Sequence, residues 1–279
     1  MITQDMLTIL QCPVCNEGSL EGEFADDTRS DGTLTCAACD AAFSVREGIP
    51  DLIPSVRLEG DVWQTWQDHL ERFYSRRSKR EQAPKDKQFS RWREKESAFT
   101  SFVELPPGRV IDVGCGPGKL RHAIGTEEGQ YYGLDPLPAQ EASGFPYVRA
   151  LAEHIPFQDN AFTALIVRSA LDHFCELDTF YTEVKRVLAP GGRIFFEQVA
   201  MQGGPVALAK TVVHAVNDFI DDMRTRESGN NAPKHMNDFS GNDVVESARG
   251  HFTVDDVQTY NRNWYTPTQT FVALTNTDS

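Results

Sequence analysis

A glycine-rich turn is the part of the sequence whose residues most directly indicate chemistry. Residues 110–113 are β-branched except for Asp112, and glycines follow at alternate positions: Gly114, Gly116 and Gly118. The β-branched run predicts a buried strand, and the glycines expose backbone where that strand ends and a helix is predicted from about Lys119. The turn, which also contains Cys115, therefore predicts a binding site for a nucleotide-type ligand.

A second acid lies at the distance expected for a ribose contact. The short strand predicted over Tyr131–Asp135 ends in a carboxylate that can bind both hydroxyls of a ribose, about 20 residues after the turn. The turn is not the dinucleotide pattern G-x-G-x-x-G, because Lys119 stands where that pattern requires glycine. A glycine turn that binds nothing is the alternative, and several later segments agree with the ligand-binding interpretation.

The pattern Asp-x-Gly-x-Gly-x-Gly resembles the first motif of class I S-adenosylmethionine (SAM) methyltransferases, in particular type 11-like members. The resemblance implies SAM as cofactor and a Rossmann-like α/β sheet that is mostly parallel with an antiparallel last strand. It also implies a set of cofactor-binding residues in the turn and after the second strand: Asp112, Gly114, Cys115, Gly116, Gly118 and Asp135.

Two further segments resemble the family near the adenine ring and the methyl group. Ala152 and Glu153 align with the adenine stretch and are predicted to bind cofactor, but Leu151 stands where an aspartate often receives the adenine amino group. The predicted fourth strand and its exit loop span 162–174. In the family this loop faces the methyl group. Ser169 is therefore predicted to bind the cofactor, and Asp172 is another polar candidate near the reaction.

A hydroxyl acceptor usually requires a general base, whereas an amine or ring nitrogen reacts with less help. His173 is the first candidate because of its loop, and His235 is the second. Glu197 is a weaker third. For either histidine a purely structural, hydrogen-bonded role is the alternative.

Four cysteines have the spacing of a metal site. Two C-x-x-C pairs separated by twenty residues are formed by Cys12, Cys15, Cys36 and Cys39. Each pair turns two thiolates toward one point, so together they predict a closed, structural Zn²⁺ site, with unligated thiols as the alternative. Residues 7–54 resemble the small zinc ribbons that activate tRNA and rRNA methyltransferases, which implies a stabilising or substrate-presenting role.

The order of elements predicts three units. Residues 1–55 form the zinc ribbon, 56–105 a helical linker or cap, and 106–279 the methyltransferase domain, with an acceptor-side insertion over about 199–242. In the cap, Trp63, Trp66 and Leu70 recur at helical spacing. This stripe predicts core contacts or part of the acceptor pocket.

Charge and hydropathy restrict the partners. The net charge of −14 argues against indiscriminate binding to a phosphate backbone. Basic residues nevertheless outnumber acids between Arg72 and Lys95, which is either a solvated helical face or a patch for an anionic substrate or RNA. The sequence shows no apolar run of membrane-spanning length and no signal-peptide pattern, and a cytoplasmic location is expected.

Together these features predict a SAM-dependent methyltransferase that methylates oxygen or nitrogen of a small molecule or biosynthetic intermediate. The alternatives are an rRNA or tRNA base methyltransferase, favoured by the ribbon and the basic cluster, and a non-catalytic SAM-binding or activator protein.

Overall fold

The computed structural model describes most of the two sheets and the elements that pack on them. The described residues are 2–55, 58, 60–61, 63–70, 97–126, 129–137, 145–200, 236–237, 239, 243–261 and 268–277. No helix within these ranges is long and apolar enough to cross a membrane. The basic cluster Arg72–Lys95, most of the expected insertion over about 199–242 and His235 lie outside them.

The N-terminal part folds as a short helix and a small antiparallel sheet. Helix α1 (Gln4–Ile9) begins at Thr3, whose side chain accepts a hydrogen bond from the amide of Met6. The sheet has the order β1-β2-β3-β4, with strands β1 (Leu20–Phe24), β2 (Gly32–Cys36), β3 (Ala42–Arg46) and β4 (Ile49–Pro50). Strands β1 and β2 connect the two cysteine pairs, with Cys36 as the last residue of β2.

The second sheet has seven strands in the described parts of the chain, in the order β10-β11-β9-β8-β5-β6-β7. Its first four strands are β5 (Val110–Val113), β6 (Tyr131–Asp135), β7 (Tyr147–Arg149) and β8 (Phe162–Arg168). The remaining strands are β9 (Leu188–Ala200), β10 (Thr253–Tyr260) and β11 (Thr268–Thr275).

Strands β7, β6, β5, β8 and β9 pair in parallel, whereas β11 is antiparallel to both β9 and β10. The predicted fold class, a mostly parallel Rossmann-like sheet with an antiparallel end and a separate small sheet, is confirmed. All residues of β5 and β6 are buried, as expected for the central strands of a sheet covered on both faces.

Helices α2 (Leu177–Val187) and α3 (Asp243–Arg249) pack on this sheet, and residues 63–70 and 97–102 are also helical. The helix predicted from about Lys119 is present as a single 3-10 turn, Lys119–His122. Gly125, three residues after it, has a left-handed φ of 67, a conformation typical of the residue that follows a helix.

The small sheet and the large sheet share one hydrophobic core. Met6 and Leu10 belong to the same buried cluster as Tyr132 and Phe157 of the larger unit. Main-chain pairing joins the units as well, because the amide of Gln11 donates to Pro156 and the amide of Gln158 donates to Ile9, at 3.0 and 2.9 Å.

A polar contact joins the two units beside that core. The guanidinium of Arg109 donates two hydrogen bonds to Asp5, at 2.7 and 3.1 Å, and the hydroxyl of Tyr132 donates to the same carboxylate. The hydrogen bonds from Arg109 and Tyr132 hold the pKa of Asp5 below its usual value. The N-terminal part is thus a fixed component of the molecule's core.

Candidate functional site

A pocket opens at the carboxyl ends of the central parallel strands β5, β6 and β8, which is the edge where open α/β sheets bind ligands. Much of the predicted site lies in its wall, namely Gly114, Gly116, Asp135, Ala152, Glu153, Ser169 and His173. Asp112, Cys115 and Gly118 belong to the same turn but do not line the pocket. The second base candidate, His235, lies outside the described residues.

Asp135 connects the second strand to the glycine turn. Its Oδ2 accepts a hydrogen bond from the amide of Gly116 at 2.7 Å, and its Oδ1 accepts one from the amide of Leu137 at 2.9 Å. Asp135 is 6% exposed, and a carboxylate oxygen can accept more than one hydrogen bond. Its position at the end of β6 and in the pocket wall suits a contact with the hydroxyl groups of a ribose.

Asp112 and Gly118 support the turn from behind. Asp112 is 2% exposed and accepts a hydrogen bond from the hydroxyl of Tyr131, whose pKa is raised by burial and by the Asp112 charge. Gly118 has φ 67, and a Cβ there would lie 2.3 Å from Cζ of Phe145. Both residues shape the turn through packing and buried hydrogen bonds rather than as pocket wall.

Glu153 has a structural task in addition to its place in the pocket wall. Its buried Oε1 accepts hydrogen bonds from the amides of Cys175 and Glu176, at 2.5 and 3.2 Å, just before α2 begins. Burial raises its pKa. Leu151, the departure from the family pattern, is 1% exposed and packs with Trp63 and Trp66.

The wall of the pocket also contains a pair of histidines. Nε2 of His69 lies 3.0 Å from Nδ1 of His173, and the rings stack with centroids 5.1 Å apart. His69 is 2% exposed, and Trp66 on the same helix donates its indole N–H to the carbonyl of His173 at 3.2 Å. On the other side of His173, Nε2 lies 3.9 Å from Oδ1 of Asp172.

His69 is not among the site residues predicted from the sequence. It lies three residues after Trp66 and directly before Leu70, so helical spacing puts it on the apolar face that was recognised. A histidine within this apolar stripe was the only local feature that could have marked the position as part of a site. Its partner, however, lies 104 residues further along the chain.

Ser169 and Glu197 meet at the end of β8. Ser169 has a positive φ of 51, and its amide donates to the carbonyl of Glu197 at 2.6 Å. The Glu197 side chain is fully buried and accepts a hydrogen bond from Arg168 at 2.5 Å. Glu197 is not part of the pocket wall, so the geometry offers no role for it as the base.

The four predicted metal ligands converge. The sulfur atoms of Cys12, Cys15, Cys36 and Cys39 all lie within 4.8 Å of one another. The Sγ atoms of Cys12 and Cys39 are 3.8 Å apart, and those of Cys15 and Cys36 are 3.6 Å apart. Tetrahedral Zn²⁺ with Zn–S bonds of about 2.3 Å requires sulfur separations of about 3.8 Å, so the cluster fits that ion.

The surroundings of Cys12 and Cys15 shift the pKa values of their thiols in opposite directions. Burial raises the pKa of Cys12 to about 12, whereas the amides of Glu17 and Gly18 lower the pKa of Cys15 to about 6. Zn²⁺ binds thiolates and deprotonates its ligands, so a bound ion would override the difference.

Comparison with known proteins agrees with this architecture. Residues 111–196, from β5 to β9, match a family described as a methyltransferase domain. The chain carries a methyltransferase domain. The matched range contains the glycine turn, Asp135 and the exit loop with His173, so it includes much of the pocket wall.

Curated relatives are similar over about a third of the chain. A phthiotriol/phenolphthiotriol dimycocerosates methyltransferase of Mycobacterium leprae is 32% identical over 106 residues, covering 34% of this chain and 38% of that protein. A ubiquinone/menaquinone biosynthesis C-methyltransferase of Bartonella tribocorum is 29% identical over 124 residues, covering 37% and 45%. The chain thus spans less than half the length of these relatives.

Proposed function

We propose that the protein transfers a methyl group from SAM to oxygen or nitrogen of a small-molecule acceptor or biosynthetic intermediate. One observation carries the proposal. A single pocket is lined both by the nucleotide-type residues Gly114, Gly116 and Asp135 and by the histidine pair His69 and His173. A methyl donor and an acceptor need to meet in one water-excluding space, and this pocket provides both ends.

The donor end would hold the ribose on Asp135 and lay the rest of the cofactor along the glycine turn. Leu151 and Ala152 would supply an apolar edge for the adenine ring, since the Glu153 carboxylate is already bound to two amides. SAM supplies the activated methyl group on a cationic sulfur. The protein's contribution is then alignment of the acceptor and exclusion of water.

The acceptor end favours a compact, partly apolar molecule. Trp66, Leu70 and Phe174 line the pocket beside the two histidines. The names of the two relatives above also concern lipid-like or quinone-type small molecules. The net charge of −14 supports the same acceptor class, because a long nucleic acid is repelled by an acidic protein.

The histidine pair suggests how a hydroxyl acceptor would lose its proton. If Nδ1 of His173 donates to Nε2 of His69, then Nε2 of His173 carries the lone pair and can accept that proton. The resulting imidazolium would keep its hydrogen bond to His69 and have the carboxylate of Asp172 at 3.9 Å. A general base beside the acceptor favours oxygen as the methylated atom. One relative, by contrast, is named as a C-methyltransferase.

The test is transfer of label from methyl-labelled SAM into a fractionated cell extract. We expect label in the small-molecule fraction with the wild-type protein and none with Asp135→Ala, which removes the ribose carboxylate. Label in the RNA fraction instead would favour the rRNA or tRNA alternative. Binding of SAM without transfer into any fraction would favour the non-catalytic alternative.

A further inference from the structure

One arginine connects the N-terminal ribbon to the loop at the ribose end of the pocket. Arg149, the last residue of β7, donates from Nε to the carbonyl of Pro136 at 2.9 Å and from Nη1 to the carboxylate of Asp51. Its main chain is held as well, because the amide of Leu52 donates to the carbonyl of Arg149 at 2.8 Å. Because the guanidinium is planar and rigid, its contact with Asp51 also fixes the direction of the N–H that donates to Pro136.

We propose that Asp51, acting through Arg149, positions the loop 135–137, so that the ribbon takes part in cofactor binding. This inference rests on the proposed function, because it assumes that the pocket binds SAM. Asp51 and Arg149 are positioning residues in this account, and neither is part of the pocket wall.

The loop they hold determines where the ribose carboxylate lies. Pro136 and Leu137 line the pocket, and the amide of Leu137 donates to Oδ1 of Asp135. A second tether, from the hydroxyl of Tyr147 to the carbonyl of Leu137 at 2.8 Å, leaves the Pro136 carbonyl to Arg149. Without the Arg149 contact the carbonyl of Pro136, in the middle of the loop, would lose this donor, whereas the carbonyls of Asp135 and Leu137 would keep the hydroxyl of Tyr147. Asp135 would then be less firmly oriented toward a ligand.

A purely stabilising role explains the arrangement less well. The side chains of Asp51 and Arg149 are 38% and 31% exposed, and ion pairs at such exposure contribute little to folding stability. Asp5 and Arg109 form an ion pair of similar exposure between the same two units, but neither residue lines the pocket or contacts the loop 135–137. Both ion pairs join the ribbon to the large sheet, but only the Asp51–Arg149 pair contacts the loop 135–137. Substitutions in the two pairs therefore distinguish docking of the ribbon from positioning of the loop.

The experiment measures the affinity for S-adenosylhomocysteine and SAM by calorimetry in the full chain. Asp51→Asn removes the charge that holds Arg149, and Arg149→Lys keeps a positive charge but cannot contact Asp51 and Pro136 together. We expect each variant to bind about five- to tenfold more weakly than wild type, the loss typical of one hydrogen bond. Asp5→Asn is the matched control and should stay within about twofold of wild type.

The double variant tests whether Asp51 acts through Arg149. In the Arg149→Lys background, Asp51→Asn should weaken binding no further, because the connection is already broken. Affinities of both single variants within about twofold of wild type would overturn the inference, as would an equal loss with Asp5→Asn. A wild-type protein that binds neither compound would instead contradict the proposed function itself.

Discussion

Among the individual residues of the site, some can be recognised from the sequence, whereas others are brought together only by the fold. The glycine turn and Asp135 were predictable because each lies next to a strand, and strand ends meet at one edge of a parallel sheet. His69 was not, since its partner His173 is 104 residues away and local periodicity carries no information about that pairing. The support that Tyr131 gives to Asp112 was missed for a similar reason.

Gly118 provides a test of the packing role assigned to it. Gly118→Ala should lower the free energy of unfolding by about 2–4 kcal/mol, because the new Cβ adds left-handed backbone strain to a collision with Phe145. Gly129→Ala is the matched control, with φ 82 and nothing within 4 Å of an added Cβ. It should cost only about 1–2 kcal/mol of backbone strain. Urea unfolding measures both, and equal losses would show that Phe145 does not restrict the turn.

The proposed role of the histidine pair can be tested without knowing the methyl acceptor. At pH 8 the ¹⁵N spectrum of the imidazoles should show His173 carrying its proton on Nδ1, with His69 as the hydrogen-bond acceptor. His69→Gln, whose side-chain oxygen can take the place of Nε2, should preserve this tautomer, and His69→Ala should lose it. His173→Gln assigns the signals. A wild-type His173 protonated mainly on Nε2 would remove it as the base.

At the element scale, Arg186 of α2 links parts of the chain that the sequence could not connect. Its guanidinium donates to the carbonyls of Ile155 and Phe157, at 2.7 and 2.6 Å, to both oxygens of Glu183, and to Gln11 of the ribbon. Helix α2 is amphipathic, with Phe180, Val184 and Val187 among its buried residues. The polar residue that connects it to the segment after Glu153 was not recognised, since nothing in its neighbourhood distinguishes it from a surface arginine.

Replacing that arginine should therefore cost more than a surface ion pair. Arg186→Met leaves the carboxylate of Glu183, which is 8% exposed, with the amide of Ile155 as its remaining donor among the described residues, and removes a charged donor from the carbonyls of Ile155 and Phe157. It should lower stability by about 3 kcal/mol. Arg249→Met is the matched control, because Arg249 pairs with Glu246 at the same i,i+3 spacing but both are at least 60% exposed. It should change stability by less than about 0.5 kcal/mol. Denaturant unfolding that gives the two variants the same stability would contradict this account.

At the scale of the whole molecule, the ribbon and the large sheet behave as one unit. The sequence predicted a ribbon and a methyltransferase sheet as separate modules, because spacing and periodicity are local. Their shared core, which joins Met6 and Leu10 to Tyr132 and Phe157, depends on how the modules pack. Zinc binding in the ribbon should consequently stabilise the sheet as well.

This coupling can be measured because the four tryptophans lie at positions 63, 66, 92 and 264, all outside the ribbon. During thermal unfolding, zinc release detected with a metal-binding dye should coincide with the change in tryptophan fluorescence. Cys36→Ser should lower the tryptophan transition by at least about 5 °C, because metal-binding free energy is folding free energy for such a site. Cys175→Ser, a matched substitution outside the cluster, should retain zinc and leave the transition within about 2 °C. Zinc loss without any shift of the tryptophan transition would mean that the two sheets fold independently, despite their common core.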